Sequence, residues 1–428
     1  LKKSPIYFPP VAQDIGNYLT GKHFTNNQIN CVLKLNGRIN DTMLKQAVRI
    51  SLDVEPILGC CLIEENNNLV WKRNDNIEET ELCSTIETKE DETELQNFIS
   101  TPFNSTNDCQ IKIKVLRAEF DTICVKLNHT CSDVEAFKQY LNLLSSIYNH
   151  LFYEQPYIVE PSVYANRSQE HILNLTADIN AICNKPNPSP TVAFPCTIGE
   201  SQEQKFLLRQ LNFKQLNSIT SYAHKNGATT NDILLTGFHR SLSKIAKIQD
   251  NTISIHLTVN LRRYLPANKK MPICNFSGKQ IVMSTQNINE SFNETLAKIV
   301  HETTKIKKDW PGLKSAFELE KLGKLNLKYA NAHIYRLRNY TIKNKVHMPV
   351  FSNVGVITKD TTKFGFLDIL DCYMIGPAPF SPGLVMLASI FNNTLSLSVN
   401  FYQSTTKKVI VEQFVDTMLN ELVMCMGE

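Results

Sequence analysis

Thr122-Ile123-Cys124-Val125-Lys126-Leu127, then Asn128-His129-Thr130-Cys131, then Ser132-Asp133-Val134-Glu135 is the stretch that decides the fold. The first six residues are β-branched or apolar with one lysine and predict a strand. Ser132-x-x-Glu135 has the form of a capping box. Val134, Phe137, Leu141, Leu144 and Tyr148 then recur at helical spacing. His129 is therefore expected in a tight strand-to-helix loop anchored on both sides by rigid elements, a good address for a catalytic group. An imidazole there could take a proton from a hydroxyl or amine as it attacks an acyl thioester. Asp133, in the first helical turn, could pair with an arginine and fix the loop. Taken bare, the spacing decides little. Ten histidines in 428 residues leave about 0.4 His-x-x-x-Asp pairs to chance, and Asp133 could simply complement the helix dipole, worth about 0.3–1 kcal/mol.

Working outward, the first half alternates strands and helices. Asn30 to Leu35 reads as a strand, ended by Gly37. Asp41 is expected to cap a helix striped with Met43, Leu44, Ala47, Val48 and Leu52, which Pro56 stops. Ile57 to Ile63 and Leu69 to Trp71 read as a hairpin, Leu95 to Ser100 as a helix and Gln110 to Leu116 as a strand. Six prolines between Pro156 and Pro195, with only a short helical pattern near His171 to Cys183, mark a crossover. The second half resumes the mixture. Strands are expected at Phe206 to Leu211, Thr252 to Val259, Gln280 to Ser284, Val350 to Ile357, Gly383 to Phe391 and Leu395 to Tyr402. Helices are expected at Phe213 to His224, from a Thr230 cap through Ile245, at Glu290 to Lys307, Leu313 to Leu337 and Val409 to Met424. Two similar halves predict a pseudo-duplicated α/β architecture.

Composition narrows the function class. Apolar residues make up 42% and charged residues 20%, with a formal net charge of +4; this is ordinary globular composition. The densest basic runs, Lys269-Lys270 and Lys305 to Lys308, fit solvated helix faces, and no nucleic-acid partner is expected. No apolar stretch approaches the roughly 18 residues of a membrane span, and Leu1 to Pro5 is not followed by a signal core. The twelve cysteines show no Cys-x-x-Cys pair and no zinc spacing, so buried free thiols, a cytoplasmic location and no metal are expected. A Cys131–His129 nucleophile pair is an alternative, but nothing in the loop supports a lowered thiol pKa.

Leu127-Asn128-His129-Thr130-Cys131-Ser132-Asp133 resembles the His-x-x-x-Asp signature of the chloramphenicol-acetyltransferase-like superfamily. Its members include the condensation domains of nonribosomal peptide synthetases, plant-type acyl-CoA transferases and bacterial alcohol acyltransferases. The resemblance spans nearly the whole chain. Phe8-Pro9-Pro10-Val11-Ala12-Gln13-Asp14 looks like the usual opening, and Leu35 to Asn40 like the approach to the first helix. Gly227 to Leu235 is similar to the start of a second-domain helix. Val259-Asn260-Leu261-Arg262-Arg263 resembles the strand-end Asn-x-Arg, Cys274-Asn275-Phe276-Ser277-Gly278 the Gly-Asn-Phe loop, and Ser352-Asn353-Val354-Gly355 the Ser-Asn-x-Gly segment. Departures are Asn128 and Val134, where condensation domains carry a second histidine and a glycine. Pro56 to Gly59 lacks an expected arginine, and Phe364-Gly365-Phe366 stands in for the plant-type Asp-Phe-Gly-Trp-Gly.

The resemblance implies an α/β fold of two chloramphenicol-acetyltransferase-like mixed-sheet sandwich domains in pseudo-duplicate, with a tunnel between them. The expected units are 1–175 carrying His129, a Pro-rich crossover at 176–204, and 205–428. It further implies transfer of an acyl group from a thioester, on coenzyme A or a carrier-protein pantetheine, to a small alcohol or amine acceptor. No cofactor is permanently bound. His129 is the general base and no acyl-enzyme forms; Asp133 completes the catalytic pair. Ser352 and Asn353 are oxyanion or tunnel candidates, and Arg262, Arg263 and Asn275 are candidate structural partners. A monomeric standalone alcohol or amine acyltransferase is preferred. The runner-up is a standalone condensation enzyme of nonribosomal peptide or secondary-metabolite assembly, and the rival class is a non-catalytic carrier- or ligand-binding member of the fold.

Overall fold

The computed structural model describes residues 6–104, 106–162, 165–175, 179–248, 251–266, 271–287, 289–359 and 363–424. The first half runs β1 (Tyr7–Phe8), α1 (Ala12–His23), β2 (Gln28–Leu35), α2 (Asp41–Val54), a 3-10 turn at Pro56–Gly59, β3 (Cys60–Glu65), β4 (Asn68–Arg73), β5 (Cys83–Glu87), α3 (Asp91–Ser100), β6 (Ile111–Arg117), β7 (Asp121–Asn128) and α4 (Val134–Phe152). The crossover holds only α5 (Glu170–Leu173) and α6 (Ile179–Asn184). The second half runs β8 (Gln204–Leu211), α7 (Phe213–Lys225), α8 (Thr230–Ile245), β9 (Thr252–Asn260), a 3-10 turn at Leu261–Tyr264, β10 (Ser277–Thr285), α9 (Phe292–Lys307), α10 (Leu313–Gly323), α11 (Leu327–Asn344), β11 (Val350–Ile357), β12 (Ile369–Ile375), β13 (Val385–Phe391), β14 (Thr394–Tyr402) and α12 (Lys408–Met424). The Lys269-Lys270 run and the N-terminal Leu1 to Pro5 lie outside the described residues, as do 176–178 of the helical pattern near His171.

Each half builds a mixed sheet. In the first, the order is β12-β2-β7-β6-β5; in the second, β10-β9-β11-β13-β14-β8, with β1-β4-β3 as a small side sheet. Helix α4 covers the first sheet: Phe137, Tyr140, Leu141, Leu144 and Tyr148 enter one core with Leu33, Val125 and Leu127. Helices α8 and α12 cover the second, where Phe238, Leu242, Phe414 and Met418 meet Ile255, Leu397 and Val399. The pseudo-duplicated α/β architecture is thus the observed one.

Strand β12 crosses between the two sheets. It leaves the second half and pairs antiparallel with β2, Cys372 opposite Leu33 and Met374 opposite Cys31. The side chain of Met374 is buried in the first core. Its backbone is held from the second sheet: Ser389 Oγ accepts from Met374 N at 3.3 Å, and Ser398 Oγ donates to Met374 O at 2.7 Å. Sequence periodicity overlooks β12 because the alternation is broken at its start, where Leu370 is exposed and the register shifts between Ile369 and Asp371. It also overlooks β5, whose acidic surroundings mask it.

Three helix starts lie one residue from their expected caps. Asn40, not Asp41, accepts from Met43 N; Thr229, not Thr230, forms the box with Asp232; and Asp133, not Ser132, caps α4 by accepting from Ala136 N. In each pair both residues are good caps, and packing chooses between them. The expected helix from Leu313 to Leu337 is two helices, divided at Lys324–Asn326, where Asn326 starts α11 by accepting from Lys328 N.

Because Met374 belongs to the first core, Met374→Ala is expected to destabilise that core by about 2–5 kcal/mol, although the residue comes from the second half. In a Trp310→Phe background, denaturant unfolding followed by fluorescence of the fully buried Trp71 should show an earlier midpoint. An unchanged Trp71 midpoint would refute this account of β12.

Candidate active site

Strand β7 is buried along its whole length and ends at Asn128, so the chain enters the His129 loop from a fixed point. The loop is hydrogen-bonded internally. Asn128 Oδ1 accepts from Thr130 N at 3.0 Å, while Asn128 O accepts from Ser132 Oγ at 3.0 Å and Cys131 N at 3.3 Å. From α1's exit, Asn27 Nδ2 donates to Thr130 Oγ1 at 2.7 Å, and Asn27 O accepts from His129 N at 2.8 Å. The Asn128 side chain is thus turned into the loop.

His129 is half-buried. Its Nδ1 lies 2.6 Å from Ser132 O. A carbonyl can only accept, so Nδ1 carries the proton and Nε2 is left with its lone pair. The Asn275 Nδ2 also approaches Nδ1, at 3.3 Å, and His129 O, at 3.4 Å. With Nδ1 protonated, the amide donates to the backbone oxygen, and its own Oδ1 is anchored by Ser277 Oγ at 2.8 Å. Burial lowers the His129 pKa from its ordinary value, opposed by the Ser132 hydrogen bond and the Asp133 charge and assisted by Lys279. The ring is a neutral base at pH 7.

Asp133 is turned away from the ring. Oδ1 caps α4 through Ala136 N at 2.8 Å; Oδ2 accepts from Arg262 Nη1 at 2.8 Å and Phe276 N at 2.7 Å. Arg262 also donates to Cys274 O at 3.0 Å. This buried pair, Asp133 from the first half and Arg262 from the second, joins the two sheets beside His129. Gly278 allows the strand behind it to close up: a Cβ there would fall 2.5 Å from Gly312 O. Of the two arginines considered as partners, Arg263 lies instead over Tyr264, 5.8 Å from its ring centre.

The structure brings His129, Asp133, Arg262 and Asn275 together. Ser352 and Asn353 sit on β11 and bond none of them. Ser352 Oγ shares a hydrogen bond with Thr258 Oγ1 at 2.8 Å. Asn353 is committed to Asn231 Oδ1 at 3.2 Å and Gly355 N at 2.9 Å. Cys131 is fully buried and donates to Asn128 O; burial pushes its thiol up to about 12, which disfavours a thiolate nucleophile. Phe364 packs edge-on against Tyr148 near the far end of α4, roughly 20 Å along the helix from the loop. Two surface depressions of about 160 and 220 Å³ are lined by residues around Tyr18 and Val48, and His129 lines neither.

Arg167 is the residue that sequence patterns missed. It comes from the irregular crossover and grips buried Asp14 with two bonds of 2.7 and 2.8 Å, while donating to Ile273 O and Cys131 O. Trp71 Nε1 donates to the same carboxylate at 2.8 Å. An arginine in a segment without periodicity offers no signal; only the uncompensated Asp14 in an otherwise apolar helix start hints at a partner. Among the described residues no group of three or more metal-ligating side chains occurs, and no helix is long and apolar enough to cross a membrane.

No family model matches the chain, and no curated protein does. Solved structures do. The first condensation domain of the calcium-dependent antibiotic synthetase, in complex with a substrate analogue, is similar with a TM-score of 0.73 at 12% identity, covering 100% of this chain and 98% of its own. The trichothecene 15-O-acetyltransferase from Fusarium sporotrichioides gives 0.71 at 11%, covering 98% and 95%. Polyketide synthase associated protein 5 from Mycobacterium tuberculosis gives 0.68 at 12%, covering 97% and 99%. The chain has the fold shared by condensation domains and the chloramphenicol-acetyltransferase-like proteins.

Removing one partner of a buried pair leaves the other charge without compensation, at about 3–5 kcal/mol. Asp133→Ala should therefore destabilise by about this amount, and Arg262→Met by a similar amount. The double variant should lose clearly less than the sum in urea unfolding. Strict additivity would show that the pair is not coupled.

Proposed function

We propose that the protein is an acyltransferase that moves an acyl group from a thioester, on coenzyme A or a carrier-protein pantetheine, to an alcohol or amine acceptor. The observation that carries this reading is the tautomer of His129: Nδ1–H is fixed on Ser132 O, so Nε2 is the proton acceptor. In the proposed reaction the acceptor hydroxyl or amine gives its proton to Nε2 as it attacks the thioester carbon. The resulting tetrahedral oxyanion collapses, the carbon–sulfur bond breaks, and the proton passes from Nε2 to the departing thiolate. No covalent enzyme intermediate is needed. The Ser352 hydroxyl, which shares one hydrogen with Thr258, is the proposed oxyanion donor, a term commonly worth about 3–4 kcal/mol. Asn353 is less suited, since its amide is already committed. A tunnel between the two halves, open on both sides, is part of the proposal.

Asp133 is proposed as a positioning residue, since both its oxygens are occupied by backbone and Arg262. Asn128 at the place of a second histidine favours a standalone transferase over a condensation enzyme. The similar structures include both kinds by name.

His129→Ala is expected to lower kcat by about 10²–10⁴-fold in assays pairing acyl-CoA donors with alcohols and amines, with KM little changed. Equal rates would rule out the assignment of the base. Turnover with a loaded carrier protein but not with acyl-CoA would select the condensation reading, and acceptor binding without turnover from either donor the non-catalytic one. Because burial lowers the His129 pKa below its ordinary 6.5, the base stays unprotonated as the pH falls through 6.5. The acid limb of kcat/KM should therefore lie below pH 6.5; a limb above it would contradict the buried neutral base.

A further inference from the structure

Strands β9 and β10 have two unlike faces. Ile253, Ile255 and Val282 enter the second core. The alternate positions therefore face the other way: His256 and Thr258, with their register partners Ile281 and Lys279. That opposite face looks toward the first half of the chain, because on neighbouring β11 Phe351 enters the second core while Val350 and Val354 pack on the first. Ser352 shares this face through its bond to Thr258. Lys279 is therefore on the wall opposite the His129 loop, two residues after Ser277, which anchors Asn275.

This wall carries an uncompensated set of basic groups. Lys279 is exposed as a residue and has no ion pair among the described residues. Its pKa is nevertheless lowered by desolvation, as for a side chain that water can reach but protein surrounds. Beside Thr258 on β9 comes His256, whose backbone N–H donates to Pro349 O at 2.9 Å and so brings the His347 segment leading into β11 next to it; the His256 ring is pushed down to about 3 and that of His347 to about 4. Burial is the first cause for each, followed by the charge of Lys279, and for His347 also that of Arg338. Phe24 ties the far end together. Its ring lies 6.0 Å from that of His347, and the Arg338 guanidinium lies 5.8 Å from its centre. Arg338 Nη1 is buried with no hydrogen-bond partner among the described residues, and the His347 ring has only a backbone contact at Met348. Elsewhere among the described residues the buried arginines are matched, Arg167 with Asp14, Arg240 with Glu421 and Arg262 with Asp133, while the buried Lys126 ammonium is satisfied by the carbonyls of Phe98 and Thr101. Unpaired cations in a partly dehydrated wall are costly unless something anionic completes them.

We propose that Lys279 and Arg338, with His256 and His347 between them, form a recognition subsite for a carboxylate carried by the substrate presented to His129. This deepens the acyl-transfer reading and rests on it for the identity of the ligand as a substrate. A carboxylate fits better than the phosphates of a thioester donor. Lys279 follows two residues after Ser277, whose hydroxyl anchors the Asn275 that approaches His129, so this end of the subsite is the one on the side of the base. The pantetheine arm of a donor is uncharged near its thioester, and its phosphates lie at the far end. A carboxylate bonded to Lys279 would also cancel the charge that depresses His129, making Nε2 more basic when the site is filled.

The test is binding without turnover, so its failure is distinguishable from failure of the acyl-transfer reading. Glutarate and its neutral isostere glutaramide are titrated into the full chain by calorimetry, alongside inorganic phosphate. Glutarate should bind and glutaramide should not. Lys279→Met and Arg338→Gln should each weaken glutarate about tenfold, the loss of one charge-assisted bond, and Lys279→Arg should restore most of it. Lys279 is exposed, so its variants should keep the parent circular dichroism and melting midpoint, and K279Q serves as a second check. Equal binding of glutarate and glutaramide, no glutarate binding, or unchanged affinity in both Lys279→Met and Lys279→Gln would overturn the subsite. Binding of phosphate with no response to glutarate would overturn its assignment to a carboxylate.

Discussion

One buried carboxylate carries the arrangement. Asp133 starts α4, receives the Phe276 amide and pairs with Arg262. These three bonds belong to three different segments, two of them from the second half of the chain. A carboxylate with both oxygens filled by donors is a rigid node, because moving any one segment strands a charge or a backbone N–H in a dehydrated place. The His129 loop hangs from this node on one side and from buried β7 on the other. The position of Nε2 is therefore set by the contact between the two sheets rather than by the loop's own preferences.

The contact itself is built from polar groups as much as from apolar ones. Strand β12 lends its side chains to the first core while Ser389, Ser398 and Asn400 of the second sheet hold its backbone and that of Gly376. Behind the loop, Arg167 performs for Asp14 what Arg262 does for Asp133, and it also reaches Cys131 O. Two arginine–carboxylate pairs thus bracket the loop. The Arg167–Asp14 contact is bidentate, which fixes orientation as well as distance; Arg262 meets Asp133 through Nη1 alone and is oriented by its second bond, from Nη2 to Cys274 O.

The parts that could be read from sequence are those whose signal is local. Strand β7, the stripe of α4 and the turn residues between them lie within one stretch, so the loop and His129 were legible. Helix starts were legible to within a residue, since Ser132 and Asp133 are equally good caps and only the Arg262 contact separates them. Strand β12 was not legible: its alternation is broken at Leu370 and at the register shift between Ile369 and Asp371, and its partner β2 lies more than 300 positions away in the chain. The Arg262–Asp133 pair was one option of two, and what excludes Arg263 is its place over Tyr264. Arg167 was invisible, because a charge on an irregular segment looks like ordinary surface until its partner Asp14 is in place.

The occupied state of Asp133 bears on the proposed chemistry. In a histidine–carboxylate relay the carboxylate accepts the ring's second N–H and favours the imidazolium. Here that N–H goes to a neutral carbonyl, Ser132 O, while burial and Lys279 disfavour the charged ring. The imidazolium is therefore a poor resting state. On the proposed pathway the proton taken by Nε2 is held only while a compensating oxyanion stands next to it, and is released as the thiolate departs. Such a base is weak toward free solvent and strong only toward a nucleophile already poised at a thioester. The same environment that lowers its pKa keeps it available at neutral pH and ties its protonation to the acyl-transfer step.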